Sequence, residues 1–167
     1  MTTVAERHQS YPDALIKRIL DSVKTIAMVG ASANWNRPSF FAMKYLQAKG
    51  FRVIPVNPRE AGKQILGETV RAELTDIPDP VDMVDVFRNA DAVPPIADAA
   101  IKIRAKVLWL QLGVRNYAAA ETAEKAGLTV VMNRCPKIEY GRLCGELGWS
   151  GINTNVISSK RRQVPKR

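Results

Sequence analysis

The stretch Thr25-Ile26-Ala27-Met28-Val29-Gly30-Ala31-Ser32-Ala33-Asn34-Trp35-Asn36-Arg37-Pro38-Ser39 carries the pattern that decides how this chain folds. An unbroken apolar run gives way to a glycine turn and then to Arg37-Pro38-Ser39, where Pro38 suits the first position of a helix. Strand, tight turn and helix in that order open a βαβ unit. Including the run at 25–31, five apolar runs occur, the others at 51–56, 83–87, 107–112 and 128–132. Each is almost continuously apolar, as expected of strands covered on both faces in a parallel sheet.

Helical patterns fill the gaps between these runs. Residues 39–49 form one, ended by Gly50, and 117–126 another, with Asn116 as N-cap and Gly127 as terminator. Across 90–105, Val93, Ile96, Ala97, Ala100 and Ile101 recur at helical spacing, and Lys102, Arg104 and Lys106 place positive charge near the C-terminal end of the helix. Ahead of the first strand, Leu15, Ile16, Ile19, Leu20 and Val23 give residues 12–23 an apolar stripe that would lie against the main body. Residues 58–80 are the one long irregular connection, with Ile65, Leu66 and Leu74 as packing points, and from Cys135 onward the pattern decays.

Alternating strands and helices predict an α/β, Rossmann-like, doubly wound and mostly parallel five-stranded sheet with helices on both faces. The strand order expected in chain numbering is 3-2-1-4-5. The chain divides into a helical extension at 1–24, the main domain at 25–150 and a basic, disordered tail at 151–167. At 167 residues there is little left for a second domain. In such sheets ligands bind beyond the carboxyl ends of the strands, where the strand order reverses.

The residues at those ends favour an anion. Gly30 would let backbone approach a phosphate, the following helix start presents unpaired N–H groups, and Ser32, Arg37 and Ser39 add donors. Of the three glycines of a dinucleotide fingerprint only Gly30 is present, and the second strand ends in Asn57-Pro58-Arg59 where an NAD site usually has an acid. Arg59 could instead meet an extra phosphate, as in NADP or the 3′-phosphate of coenzyme A. Arg88 emerges from the third strand, Gly113 would allow close backbone approach after the fourth, and Arg134 after the fifth faces either cleft or solvent.

Taken in order, Val29-Gly30-Ala31-Ser32, Arg37-Pro38-Ser39, Val56-Asn57-Pro58, Val84-Asp85-Val86-Phe87-Arg88, Val107-Leu108-Trp109-Leu110-Gln111-Leu112-Gly113-Val114 and Val130-Val131-Met132-Asn133-Arg134-Cys135 resemble the stand-alone coenzyme A-binding protein family. The domain of that family is similar to the N-terminal domain of the succinyl-CoA synthetase alpha subunit, and the resemblance runs from about Thr25 to Leu143. It implies coenzyme A as ligand. Gly30, Ala31, Ser32 and Arg37, with Pro38 and Ser39 at the helix start, would contact the phosphates. Asn57 and Pro58 would line the adenine–ribose side, and Phe87, Arg88, Gln111, Gly113 and Val114 would flank the rest. Trp35 and the basic tail depart from the family pattern; Trp35 either stacks on the ligand, shields the loop or has no role.

The remaining residues point away from catalysis. The larger synthetase subunit carries a phosphorylated histidine on a following domain, whereas here His8 is the one histidine and is expected to be an idle, solvated residue near a frayed N-terminus. No nucleophile–histidine–carboxylate set and no zinc constellation can be assembled. Asp82 and Asp85 fall on opposite faces of a strand and read as structural. Cys135 reads either as a small buried side chain or as a thiol near the ligand's sulfur, able to form a mixed disulfide.

The net charge of +9 is concentrated at one end: without Lys160, Arg161, Arg162, Lys166 and Arg167 it falls to +4. The body therefore suits a small anion better than nucleic acid, which would have to engage the 160–167 tail. Two cysteines, a polar N-terminus without a signal peptide and no apolar run of bilayer length predict a cytoplasmic protein with no membrane contact. The reading is a non-enzymatic module that binds coenzyme A or an acyl-CoA as carrier, sensor or partner of an acyl-CoA enzyme, with a homodimer as a further expectation. The alternative on the same fold is an NAD(P)-dependent oxidoreductase or redox sensor.

Overall fold

The computed structural model describes residues 2–144. The last residues assigned to the main domain and the whole 151–167 tail therefore lie outside the described residues. The helices are α1 (Val4–Arg7), α2 (Asp13–Ser22), α3 (Pro38–Ala48), α4 (Val93–Lys102), α5 (Tyr117–Lys125) and α6 (Pro136–Leu143). The strands are β1 (Thr25–Val29), β2 (Arg52–Val56), β3 (Gln64–Ile65), β4 (Glu68–Thr69), β5 (Met83–Val86), β6 (Val107–Leu110) and β7 (Thr129–Val131). The five long strands form one parallel sheet in the order β2-β1-β5-β6-β7.

Alternation along the strands sorts the core into two layers. Ile26, Met28, Met83, Val107 and Trp109 face α2, α3 and α6, while Ala27, Val84, Val86, Leu108 and Leu110 face α4 and α5. Helix α2 buries Ile16, Ile19 and Leu20 in the first layer, and α5 buries Ala119, Ala120 and Ala123 in the second. Asn116 caps α5 as its position in the sequence suggests, its Oδ1 accepting the Ala119 N–H at 3.0 Å.

The strand order differs from the expected 3-2-1-4-5. The five long strands run 2-1-3-4-5 in chain order, so β5 lies beside β1 and not beside β2. Pro55 supplies a physical reason. A residue without an N–H cannot complete a central ladder and is tolerated at an edge. At the outer side of β2 the Pro55 carbonyl instead accepts the Arg71 N–H at 2.9 Å. The 58–80 connection is also more ordered than expected, containing the β3–β4 hairpin with Leu66 and Gly67 at positive φ in its turn. The reversal of strand order now falls between β1 and β5.

The N-terminus is not frayed within the described residues. Thr3 and Glu6 close a capping box on α1. His8 is only 3% exposed; its Nδ1 lies 2.7 Å from the Tyr11 hydroxyl and its Nε2 3.0 Å from Glu124 Oε1. The Tyr11 oxygen also accepts the Met132 N–H at 2.8 Å, which fastens the segment to the end of β7. The expectation of an idle, solvated His8 is therefore corrected. It is a buried clamp that the lone position of one histidine in a polar stretch did not announce.

Candidate functional site

The carboxyl ends of β1 and β5 meet at Gly30. Its φ is +85°, and an added Cβ would strike the Phe87 carbonyl oxygen, so glycine is required by close packing at the switch point itself. The Gly30 N–H donates to Val56 O at 2.9 Å, and Asn57 Nδ2 donates to Ala31 O at 2.8 Å, drawing the β1 and β2 loops together. The β1–α3 loop orders itself further: Ser32 Oγ accepts the Asn34 N–H and Asn34 Oδ1 the Asn36 N–H. Glu60 Oε2 accepts the Ala33 N–H at 3.1 Å.

Above this junction opens a cavity of about 800 Å³. One end is lined by Gly30, Ser32, Arg37, Pro38, Ser39 and Asn57. Phe87, Arg88, Gln111 and Val114 line its continuation. Three of the residues named from sequence lie elsewhere. Ala31 is buried with its carbonyl held by Asn57, and Gly113, at φ +79°, donates its N–H to Asn133 Oδ1 at 2.8 Å. Pro58 lines a second cavity of about 440 Å³, walled by Val29, Val56, Leu74, Ile96 and Ala99. Arg88 borders both cavities and stands between them.

The electrostatics are those of an anion site. Arg37, Arg59 and Arg88 all line the larger cavity, and their guanidinium groups have no hydrogen-bond or ion-pair partner among the described residues. Helix α3 begins there with Arg37 as N-cap and no side chain accepting from its first turn, which leaves its positive dipole end open to a ligand. Glu60 is the one acid of the lining. Arg134, undecided from sequence, turns away from the cavity: it stacks over the Tyr11 ring at 5.4 Å and donates to Asn133 O.

Helix α6 was missed by sequence reasoning, and with it the far wall of the cavity formed by Cys135, Lys137 and Ile138. Pro136 at its first position is the signal that could have found it. Leu112, half exposed, and Phe41 add apolar surface at the mouth. Trp35 is 66% exposed and is not part of the lining. Cys135 is buried, and that burial pushes its thiol up to about 11, which keeps it protonated and weakly nucleophilic at neutral pH.

Asp82 and Asp85 do separate as expected, with different outcomes. Asp82 accepts the Lys24 and Thr25 N–H groups and pairs with Lys106, a structural role. Asp85 is fully buried beneath the cavity, with Oδ1 accepting from Gln111 Nε2 at 2.7 Å. Desolvation raises its carboxyl to about 7.

A parallel sheet with a cleft at its switch point defines a Rossmann-like α/β domain. The chain belongs to the CoA binding domain family, whose model matches residues 24–141. It is 36% identical over 132 residues to the uncharacterized protein YneT of Bacillus subtilis (strain 168), covering 79% of this chain and 96% of that one. Among solved structures it is similar to a hypothetical protein from Pyrococcus horikoshii OT3, with 39% identity, TM-score 0.77 and coverage of 81% of this chain and 94% of the other. A dinucleotide-forming acetyl-coenzyme A synthetase of Ca. Korarchaeum cryptofilum shares the fold at 22% identity and TM-score 0.56, over 64% of this chain and 25% of that enzyme.

Proposed function

We propose that this protein binds coenzyme A or an acyl-CoA in the cleft between β1 and β5, as a non-catalytic carrier, sensor or partner module of an acyl-CoA enzyme. The observation that carries the reading is the cluster of Arg37, Arg59 and Arg88, free of protein partners among the described residues, around a large cavity that also receives the start of α3. Three fixed cations and a helix dipole match a ligand bearing several phosphate charges. The apolar second cavity beyond Arg88 suits the adenine, with Pro58 in its wall. The pantetheine arm then runs past Phe87 toward Gln111, Val114 and Cys135.

Family membership supports coenzyme A over a nicotinamide dinucleotide. So does the end of β2, where Asn57 spends its side chain on Ala31 O and on the Arg59 N–H and the nearest acid, Glu60, is engaged by the Ala33 N–H of the phosphate loop. None of the described helices is long and apolar enough to cross a membrane, which suits a protein acting in the cytoplasm. Isothermal titration with coenzyme A, NADH and NADP in parallel tests the reading. Micromolar binding of coenzyme A alone is expected; binding of a nicotinamide nucleotide alone would replace this function with a redox one.

A further inference from the structure

Asp85 stands at the centre of the sheet, opposite Met28 on β1 and Trp109 on β6. Burying a carboxyl there without a cation is costly, and such groups persist where they hold something in place. Among the described residues its Oδ2 has no hydrogen-bond partner, and its Oδ1 is engaged by Gln111 alone. Gln111 is 7% exposed, and what it exposes lines the inner part of the larger cavity, near Cys135 and Ile138. The amide has two unlike ends, an acceptor and a donor. With Nε2 committed to Asp85, the carbonyl end remains for the cavity.

We propose that Asp85 is a positioning residue that sets which end of the Gln111 amide faces the cavity, and that Gln111 thereby discriminates the free thiol of coenzyme A from its acyl thioesters. The inference rests on the coenzyme A reading and names the selectivity of that same site. An ionised Asp85 can only accept, so it takes the Gln111 NH₂ and leaves the carbonyl oxygen to receive an S–H or the neighbouring amide N–H. A protonated Asp85 can donate from Oδ1, the oxygen that faces Gln111, to the Gln111 carbonyl instead. The amide then turns over and offers its NH₂ to the cavity, where an acyl carbonyl is the natural acceptor. The geometry thus couples one proton on a buried carboxyl to the preference between thiol and thioester.

Other groups near the pair do not duplicate this behaviour. Arg88 and Lys137 also line the cavity wall, and the Cys135 thiol, which feels Asp85, stays protonated across the neutral range. The burial that raises Asp85 to about 7 puts its titration within reach of experiment.

The test is calorimetric titration of the full chain with coenzyme A and with acetyl-CoA between pH 5.5 and 7.5, for the native protein, Asp85→Asn and Gln111→Leu. The ratio of the two affinities is the readout, because ionisation of the shared phosphates cancels in it. The native ratio is expected to move toward acetyl-CoA by about fivefold as the pH falls, the scale of one hydrogen bond exchanged. Asp85→Asn, which cannot titrate, is expected to give a ratio independent of pH, and Gln111→Leu to lose the preference. A native ratio that does not change with pH overturns the proposal, as does a pH dependence that survives in Asp85→Asn. If coenzyme A binds with such a flat ratio, the selectivity fails while the binding function stands; if neither ligand binds, both fall.

Discussion

A methyl group added at Gly30 would meet the Phe87 carbonyl oxygen, and a φ of +85° would strain any side chain there even with room to spare. Gly30→Ala is therefore expected to lower the unfolding free energy by about 2–4 kcal/mol, combining left-handed strain with overpacking. A shifted urea midpoint at unchanged slope would record it. The arginines make the opposite kind of prediction. Arg37 and Arg88 are exposed and pair with no protein group among the described residues, so removing them leaves no buried charge behind. Arg37→Ala and Arg88→Ala are each expected to weaken coenzyme A binding by about 1.5–3 kcal/mol, the scale of charge-assisted hydrogen bonds, with little change in thermal midpoint. Unchanged affinity in both variants would displace the site.

At the scale of elements, the N-terminal segment behaves as a strap. Arg7 and His8 both reach Glu124 on α5, Arg115 donates to His8 O, and Tyr11 holds the end of β7. Desolvation is the main reason that the His8 imidazolium is disfavoured in the folded state. A depressed folded value means that the unfolded chain binds the proton more readily below about pH 6.5, so stability is lost as the pH falls through that region. Asp85 acts with the opposite sign: its raised carboxyl makes stability fall as the pH climbs from the ordinary carboxylate range toward 7. The two contributions separate by subtraction. His8→Gln is expected to lose less stability than the native protein between pH 7 and 5, measured by denaturant melts at each pH; parallel curves would contradict the clamp.

The five strands of the main sheet and helices α2 to α5 were legible in the sequence because apolar runs and helical stripes are local properties. The β3–β4 hairpin was not, and neither were three further features. The place of β5 depends on which side of β1 it docks, and only Pro55 hinted that β2 must be an edge. Helix α6 is short and mixes Tyr140, Gly141 and Arg142 with a fully buried Glu139, so its apolar stripe is broken; Glu139 is held instead by Arg142 at 2.6 Å. The burial of Asp85 beneath Gln111 joins residues on two strands and has no expression in either segment alone.

The whole molecule joins these scales at one place. Reversal of strand order between β1 and β5 creates the cleft, Gly30 lets its walls close, and α3, α6 and the loops after β2, β5 and β6 bring three arginines and Gln111 to its rim. Most of the residues suggested by family resemblance line that one cavity, because strand-end positions in a parallel sheet converge in space whatever their separation in sequence. Ala31, Gly113 and Pro58 mark where resemblance alone does not fix geometry: two shape the backbone of the loops, and the third belongs to the neighbouring cavity.

Coenzyme A seated in this cleft would change the surroundings of its backbone amides, and chemical-shift mapping during titration with coenzyme A records this residue by residue. The expected result is a contiguous set of perturbed amides at Gly30, Ser32, Ser39, Asn57, Arg88 and Leu112, with the amides of α2 unchanged. Perturbations centred elsewhere, or none at saturating ligand, would mean that coenzyme A does not bind between β1 and β5.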